Sequence, residues 1–370
     1  MMIAALISST YYRSSILYNC LLQLAKEQPA SHFLLLVNND FYAQENLPAN
    51  VEMSRVNLAP KNAITLHYWY NFKLPSLLKK YKVSCFITEG NILSLRADIP
   101  QFLLVNDLSF QHRKPVLMQE HAGYIKRNFH KFLQKASGIF VTETFLKETL
   151  LVRYPAIKEK LSVAGHGLDE AFRPISWDQK ESILETFSGG TEFFIAECSR
   201  LTQANVFSLV KAFSLFKKRQ KSDMQLVLLL KELTIEECVR DFHLYKYRAD
   251  VKTIAYTNDS RYAEMLGAAY ASIYLPAEPV AENAGLNALK SAVPLITFNN
   301  AAAAGMYGEA ALYTGPSEKE IAENMMLLYK DESLRKTLIE KGVWVSEAYN
   351  WVSSAKMIGQ AISVCSDIKS

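Results

Sequence analysis

Apolar and polar positions along the 370-residue chain fall into blocks that repeat a strand and helix order. Residues 2–7 form a continuous apolar run, residues 16–26 carry apolar side chains at helical spacing, and residues 33–37 are apolar again. Runs apolar on both faces suit parallel strands covered by helices on either side, so the chain opens on a βαβ unit. The order continues with a helix over 74–80, strands over 84–88 and 102–105, a long helical stretch over 116–136 and a strand over 138–141. Composition breaks at Phe172, Arg173 and Pro174, and the alternation then restarts. Strands are predicted over 193–197, 225–230, 251–255, 272–275 and 295–298, and helices over 208–220, 261–269 and 286–291.

This pattern predicts an α/β fold of two doubly wound, Rossmann-like parallel-sheet domains. Residues 1–172 form the first, residues 173–350 the second, and residues 351–370 a C-terminal helix that crosses back to the first. Doubly wound sheets bind ligands at the carboxyl ends of their strands, so two such domains facing each other place a ligand in the cleft between them. Length agrees, because a single core stops growing near about 250–300 residues.

Charge changes the picture once it is divided. The formal net charge of +4 is too small for a nucleic-acid binder, whose surface is clustered and basic. Residues 1–172, however, hold 19 Lys and Arg against 13 Asp and Glu, net +6, and the remainder holds 22 against 24, net −2. Within the basic part, Lys126, Arg127, Lys131 and Lys135 interleave with Tyr124, Ile125, Phe129, Phe132 and Leu133. That stretch reads either as a core-packed helix with a solvated basic face or as a helix lying on an anionic membrane.

The five cysteines show no Cys-x-x-Cys spacing, which fits a reducing compartment. No apolar run approaches the roughly 20 residues of a membrane-spanning helix, and the first seven residues lack the basic leader of a secretory signal. A cytoplasmic protein is expected, with peripheral contact at the inner face of the membrane. The seven histidines lack metal-ligand pairing, and neither a phosphate loop, a dinucleotide fingerprint nor a nucleophile elbow is present. The cluster His67-Tyr68-Trp69-Tyr70 serves either packing or stacking on a sugar ring.

Several segments, in this order, resemble the bacterial GT-B glycosyltransferases of the family 4 kind. Val105-Asn106-Asp107-Leu108 is similar to the family's His-Asp-Leu segment, and Ile139-Phe140-Val141-Thr142-Glu143 to its strand ending in Val-Ser-Glu. Lys160-Leu161-Ser162-Val163, His166-Gly167-Leu168-Asp169 and Phe172-Arg173-Pro174 resemble the family's interdomain segment. Ser199-Arg200-Leu201, with Asn205 and Ala212-Phe213, is similar to its Gly-Arg-Leu, Lys-Asn and Ala-Phe. Residues 287–296 follow its Glu-Ala-Leu-Lys-Ser-Gly-Val-Pro-Val-Ile in register, and residues 308–312 and Trp351 complete a resemblance that covers nearly the whole chain.

The resemblance implies retaining transfer of a sugar from a nucleotide-sugar donor to a glycan or lipid-linked envelope or polysaccharide acceptor, without a metal or other cofactor. It carries the catalytic side onto Asn106 and Asp107, and the donor side onto Arg200, Asn205, Glu278, Glu282 and Asn287. Arg13, in a loop without glycine after the first strand, is placed to meet an anionic acceptor. Cations lower the barrier as the nucleoside diphosphate departs with growing negative charge. Arg200 matches the family's Arg, whereas its Lys is Ala204 here; its donor-contacting His is Asn106, and its ribose-binding Glu is Asn287. Asp107 fits a helix cap equally well, and Arg200 a surface salt bridge. These departures keep open a second reading, a non-catalytic GT-B protein that binds glycan or partners an active transferase; a sugar-nucleotide epimerase is a third.

Overall fold

The computed structural model describes residues 1–7, 15–42, 46–57, 62–111, 121–278 and 283–367. The chain divides into two compact units, one of Met1–Gly167 with Tyr349–Ser370 and the other of Leu168–Ala348.

The first unit contains β1 (Met2–Ile7), α1 (Ile16–Glu27), β2 (His32–Val37), β3 (Val51–Arg55), α2 (Ala63–Tyr68), α3 (Leu74–Lys80), β4 (Cys85–Glu89), β5 (Gln101–Val105), α4 (Ala122–Lys135), β6 (Gly138–Val141), α5 (Thr144–Arg153) and β7 (Leu161–Val163). Its seven strands are parallel, in the order β3-β2-β1-β4-β5-β6-β7. β1, β4 and β5 are buried on both faces, as strands of a parallel sheet covered by helices are. β3, Val-Glu-Met-Ser-Arg, escapes a search for apolar runs because it is a partly exposed edge strand, and β7 because it is only three residues long.

The second unit contains α6 (Trp177–Ser188), β8 (Phe193–Cys198), α7 (Gln203–Gln220), β9 (Gln225–Leu230), α8 (Ile235–Cys238), β10 (Val251–Ala255), α9 (Asp259–Ala268), β11 (Ala271–Tyr274), α10 (Asn283–Lys290), β12 (Leu295–Phe298), α11 (Ala301–Tyr307), β13 (Ala311–Thr314), α12 (Glu318–Lys330) and α13 (Glu332–Glu347). Its six parallel strands run β10-β9-β8-β11-β12-β13. Phe193 and Ile195 of β8 face α9 and α6, and Phe194 and Ala196 face α7 and α12, which fills a core on each side of the sheet. Phe172, from the composition break, is buried against Leu184 and Tyr262 in this unit.

The last helix, α14 (Trp351–Asp367), packs on α1, where Gly359 leaves room for Leu24. The helix expected over 116–136 begins only at Ala122, after His121 in a left-handed conformation with φ 59°, and residues 112–120 lie outside the described residues. Its apolar positions Ile125, Phe129, Phe132 and Leu133 are buried while Lys126, Arg127 and Lys131 are exposed, so it is the core-packed helix with a solvated basic face. Residues 63–80 form one continuous helical segment in which Trp69–Lys73 make a π turn between α2 and α3. That turn rotates Trp69 and Tyr70 into the core and leaves His67 and Tyr68 outside, dividing the aromatic cluster between two environments.

Candidate functional site

In a doubly wound sheet the ligand crevice opens where strand order reverses, between β1 and β4 in the first unit and between β8 and β11 in the second. The two switch points are furnished differently. In the first, the helix that follows β1 is closed by the protein's own carboxylate. Glu89, the last residue of β4 and 2% exposed, accepts a hydrogen bond from the Ser15 hydroxyl at 2.9 Å and one from the Leu17 amide at 3.3 Å. Ser15 in turn caps α1 by accepting from the Tyr18 amide at 3.0 Å. The positive end of α1 therefore already holds an anion.

In the second unit, β8 ends in a tight turn. The Ser199 carbonyl accepts from the amides of Thr202 and Gln203 at 3.0 and 2.8 Å, and the Thr202 hydroxyl donates to the Glu197 carbonyl at 2.7 Å. This turn starts α7 with no side-chain cap at its first residue and no carboxylate bonded to its first amides among the described residues. Arg200 projects from the turn, exposed and without an ion-pair or hydrogen-bond partner among the described residues. Asn205, in the first turn of α7, donates from Nδ2 to the Leu275 carbonyl just past β11 at 3.1 Å, which ties the two strand ends of the switch point together. The Ser199 hydroxyl is buried with no hydrogen-bond partner among the described residues.

α10 supplies Asn287, 9% exposed, whose Oδ1 also lacks a partner among the described residues, and is followed by Ser291, whose buried hydroxyl is likewise unsatisfied. A buried polar atom left unpaired is costly, about 1–3 kcal/mol, and marks a place where another molecule can supply the partner. Gly285 belongs to the same helix. It sits inside α10, where a Cβ would collide with the Tyr307 ring, so its role is helix packing.

Glu278 is partly buried just before α10 and has an interaction partner within the chain. Glu282 and Arg13 lie outside the described residues, as does the loop over 8–14. In the first unit, Asn106 and Asp107 follow β5 and are both partly buried. Asp107 is engaged locally: its two carboxylate oxygens accept from the Ser109 amide at 2.7 Å and the Ser109 hydroxyl at 2.6 Å, holding the short 3-10 turn Ser109–Gln111. These two bonds give Asp107 a local turn-holding role.

One cation-bearing group is not among the sequence candidates. Lys231, immediately after β9, pairs through Nζ with Glu197 Oε2 at 2.9 Å, and its ammonium lies 4.8 and 5.4 Å from the ring centres of Tyr256 and Tyr262. Burial foremost, and then Glu197, raises the Tyr262 phenol well above its ordinary range and keeps it neutral beside this pair. Its position was available from the pattern, since Lys231 directly follows the apolar run 225–230 at a strand carboxyl end.

No protein-family model matches the sequence, and no curated protein matches it. Solved structures do. The chain is similar to a glycosyltransferase from Rickettsia africae, with a TM-score of 0.71 and 13% identity over 99% of this chain and 98% of that one. It is similar to Anabaena HepE, crystallised in complex with UDP and glucose, with a TM-score of 0.72 and 15% identity over 98% and 99% of the two chains. WaaG, a glycosyltransferase involved in lipopolysaccharide biosynthesis, gives a TM-score of 0.71 and 13% identity over 96% and 98%. The fold is GT-B: two parallel-sheet α/β units, of seven and six strands, with the topology that the ordered segments imply.

Proposed function

We propose that the protein is a retaining, metal-independent glycosyltransferase that takes a sugar from a nucleotide-sugar donor held by the second unit. The acceptor is a glycan or lipid-linked envelope intermediate bound on the side of the basic first unit, at the cytoplasmic face of the membrane. The observation that carries the donor reading is the contrast between the two switch points. The first is filled by Glu89, whereas the second presents, among the described residues, the unpaired guanidinium of Arg200 with the unsatisfied Ser199 hydroxyl beside a helix start that has no side-chain cap. A diphosphate matches that set, because it brings acceptor oxygens to a cation and a hydroxyl at once. Asn287 offers an amide to the donor's hydroxyls, and Asn205 holds the turn in place. HepE, of the same fold, was crystallised with UDP-glucose, which makes a uridine donor the first to test.

Titration calorimetry with UDP-, GDP- and ADP-linked sugars tests the donor half: saturable binding of one of them is expected, and binding of none overturns it. The exposed Ala204 leaves Arg200 as the one cation of the turn, which favours the non-catalytic reading as the alternative. Turnover by the parent protein disposes of that alternative. Donor hydrolysis that appears only after Ala204→Lys with Asn287→Glu supports it.

A further inference from the structure

α7 covers one face of the second sheet, burying Val206, Leu209, Val210, Phe213 and Phe216 against it. Its outward side has a different character. Residues 203–221 hold five Lys and Arg and no Asp or Glu. At helical spacing the exposed stripe runs through Ala204, Phe207, Lys211 and Lys218, with the half-buried Ser214 between the two lysines. Phe207 is 47% exposed, and the Lys211 ammonium lies 4.4 Å from the centre of its ring. An aromatic ring left in water under a cation is a ready contact for another molecule.

The segment between α8 and β10 lies alongside this stripe, and Tyr245 pins it there. Its hydroxyl donates to the Val210 carbonyl at 2.7 Å and accepts from the Ser214 hydroxyl at 2.7 Å. Phe242 stacks on Tyr245 with ring centres 5.9 Å apart, Tyr247 meets Tyr245 edge-on at 6.4 Å, and the Lys246 ammonium lies 5.5 Å from the Tyr247 ring centre. Residues 242–248 add Lys246 and Arg248, again with no carboxylate. The nearby acids leave this charge standing. Asp250 is paired with Lys217 at 3.3 Å, and Asp223 and Asp241 fall just outside the two stretches. Glu236 and Glu237 belong to α8, which is tied to the far end of α7 by the Gln203 side-chain amide donating to the Glu237 carbonyl at 3.0 Å.

We infer that this face of the second unit is a docking surface for an anionic glycan chain, with sugar rings lying on Phe207 and Tyr247 and acidic groups of the chain meeting Lys211, Lys218 and Lys246. A glycan bearing a carboxylate on each ring repeats an apolar ring face and a negative charge, and the surface alternates aromatic rings with cations in the same way. A bilayer is the poorer match. No helix among the described residues is long and apolar enough to cross one, and Phe207 and the 73% exposed Leu244 are single apolar groups set among cations. The surface also leads away from the donor turn, since Lys218 lies about 20 Å along α7 from its start. The inference therefore goes beyond the proposed transfer reaction and stands or falls separately from the donor site.

The test is titration calorimetry of the full chain with polygalacturonate, with polyglutamate and dextran of similar length as the charge-only and sugar-only controls. The wild-type protein is expected to bind polygalacturonate, less as salt rises, and to bind each control about tenfold more weakly or not at all. Phe207→Ala, and separately Lys211→Ala with Lys246→Ala, are each expected to weaken polygalacturonate binding about tenfold. All three side chains are exposed, so the fold is kept, and unchanged circular dichroism and melting temperature verify this. A wild-type protein that ignores polygalacturonate, or holds polyglutamate equally well, overturns the proposal. Undiminished binding by either variant overturns it too, as does capture by phosphatidylglycerol vesicles in place of polygalacturonate. None of these outcomes depends on nucleotide-sugar binding, so failure of the donor reading is seen separately.

Discussion

Glu89 accepts from the Ser15 hydroxyl at 2.9 Å across the switch point of the first sheet, joining β4 to the cap of α1. A buried carboxylate survives there because the helix supplies amides and positive potential, and it thereby occupies the spot where a phosphate would otherwise bind. Removing the carboxylate leaves the Ser15 hydroxyl and the Leu17 amide short of a buried partner. Glu89→Ala is expected to destabilise the protein by about 2–4 kcal/mol, and Glu89→Gln by less, as read from urea midpoints at unchanged slope.

Arg200 is exposed and has no partner to lose among the described residues, so its replacement separates binding from stability. Arg200→Ala is expected to weaken nucleotide-sugar binding about 10- to 100-fold, the size of a charge-assisted contact to phosphate, while the melting temperature stays put. Arg200→Lys keeps charge and loses the forked geometry, and falls between the two. Equal affinity in all three proteins removes Arg200 from the donor site. Asn205→Ala, by contrast, breaks the Leu275 tie and lowers stability as well as affinity.

These residues show what the sequence makes legible and why. Strands buried on both faces, such as β1 and β8, announce themselves as continuous apolar runs, and Arg200 is a candidate because an ordered segment and a strand end coincide. β3 is missed because an edge strand has no second covered face. Asp107 keeps two readings in the sequence because a carboxylate at a strand end looks the same whether it faces a substrate or the Ser109 amide two residues on. Lys231 and Glu197 lie 34 positions apart, and pairing depends on β8 and β9 being neighbours, with Cys198 opposite Leu230. The role of Glu89 is likewise invisible until α1 and β4 are side by side.

Cys20, fully buried on α1, has its thiol pushed up from 9.0 to about 12, by burial first and then by the nearby Glu89. A folded value above the unfolded one means that the associated stability is whole below pH 9 and is lost as pH rises toward 12, because only the unfolded chain releases the proton in that window. Urea titrations on the alkaline side are therefore expected to show stability falling, with this thiol contributing up to about 1.4 kcal/mol per pH unit. Cys20→Ala lowers stability at neutral pH by leaving a cavity but flattens the alkaline slope. A slope that is unchanged in the variant assigns the alkaline loss to other groups.

A second buried carboxylate, Glu143, gathers three separate stretches of the first unit. Its Oε1 lies 3.2 Å from His166 Nε2, its Oε2 accepts from the Tyr349 hydroxyl at 3.3 Å, and the His166 and Tyr349 rings are 5.1 Å apart. The contact with His166 lies off the hydrogen-bond axis, so proximity rather than directed bonding holds it. Burial foremost, and then Glu143, raises the Tyr349 phenol above its ordinary range, which keeps it protonated and donating. Glu143 follows β6, His166 follows β7 and Tyr349 begins the C-terminal return, so one cluster anchors both places where the chain passes between its units. His166→Ala is expected to cost about 3 kcal/mol, combining a cavity with a stranded carboxylate, and Tyr349→Phe about 1 kcal/mol. In a double-mutant cycle, His166→Ala with Glu143→Gln is expected to cost at least about 1 kcal/mol less than the two changes summed, as measured by urea unfolding. Additive losses would mean that the two side chains merely fill space beside one another.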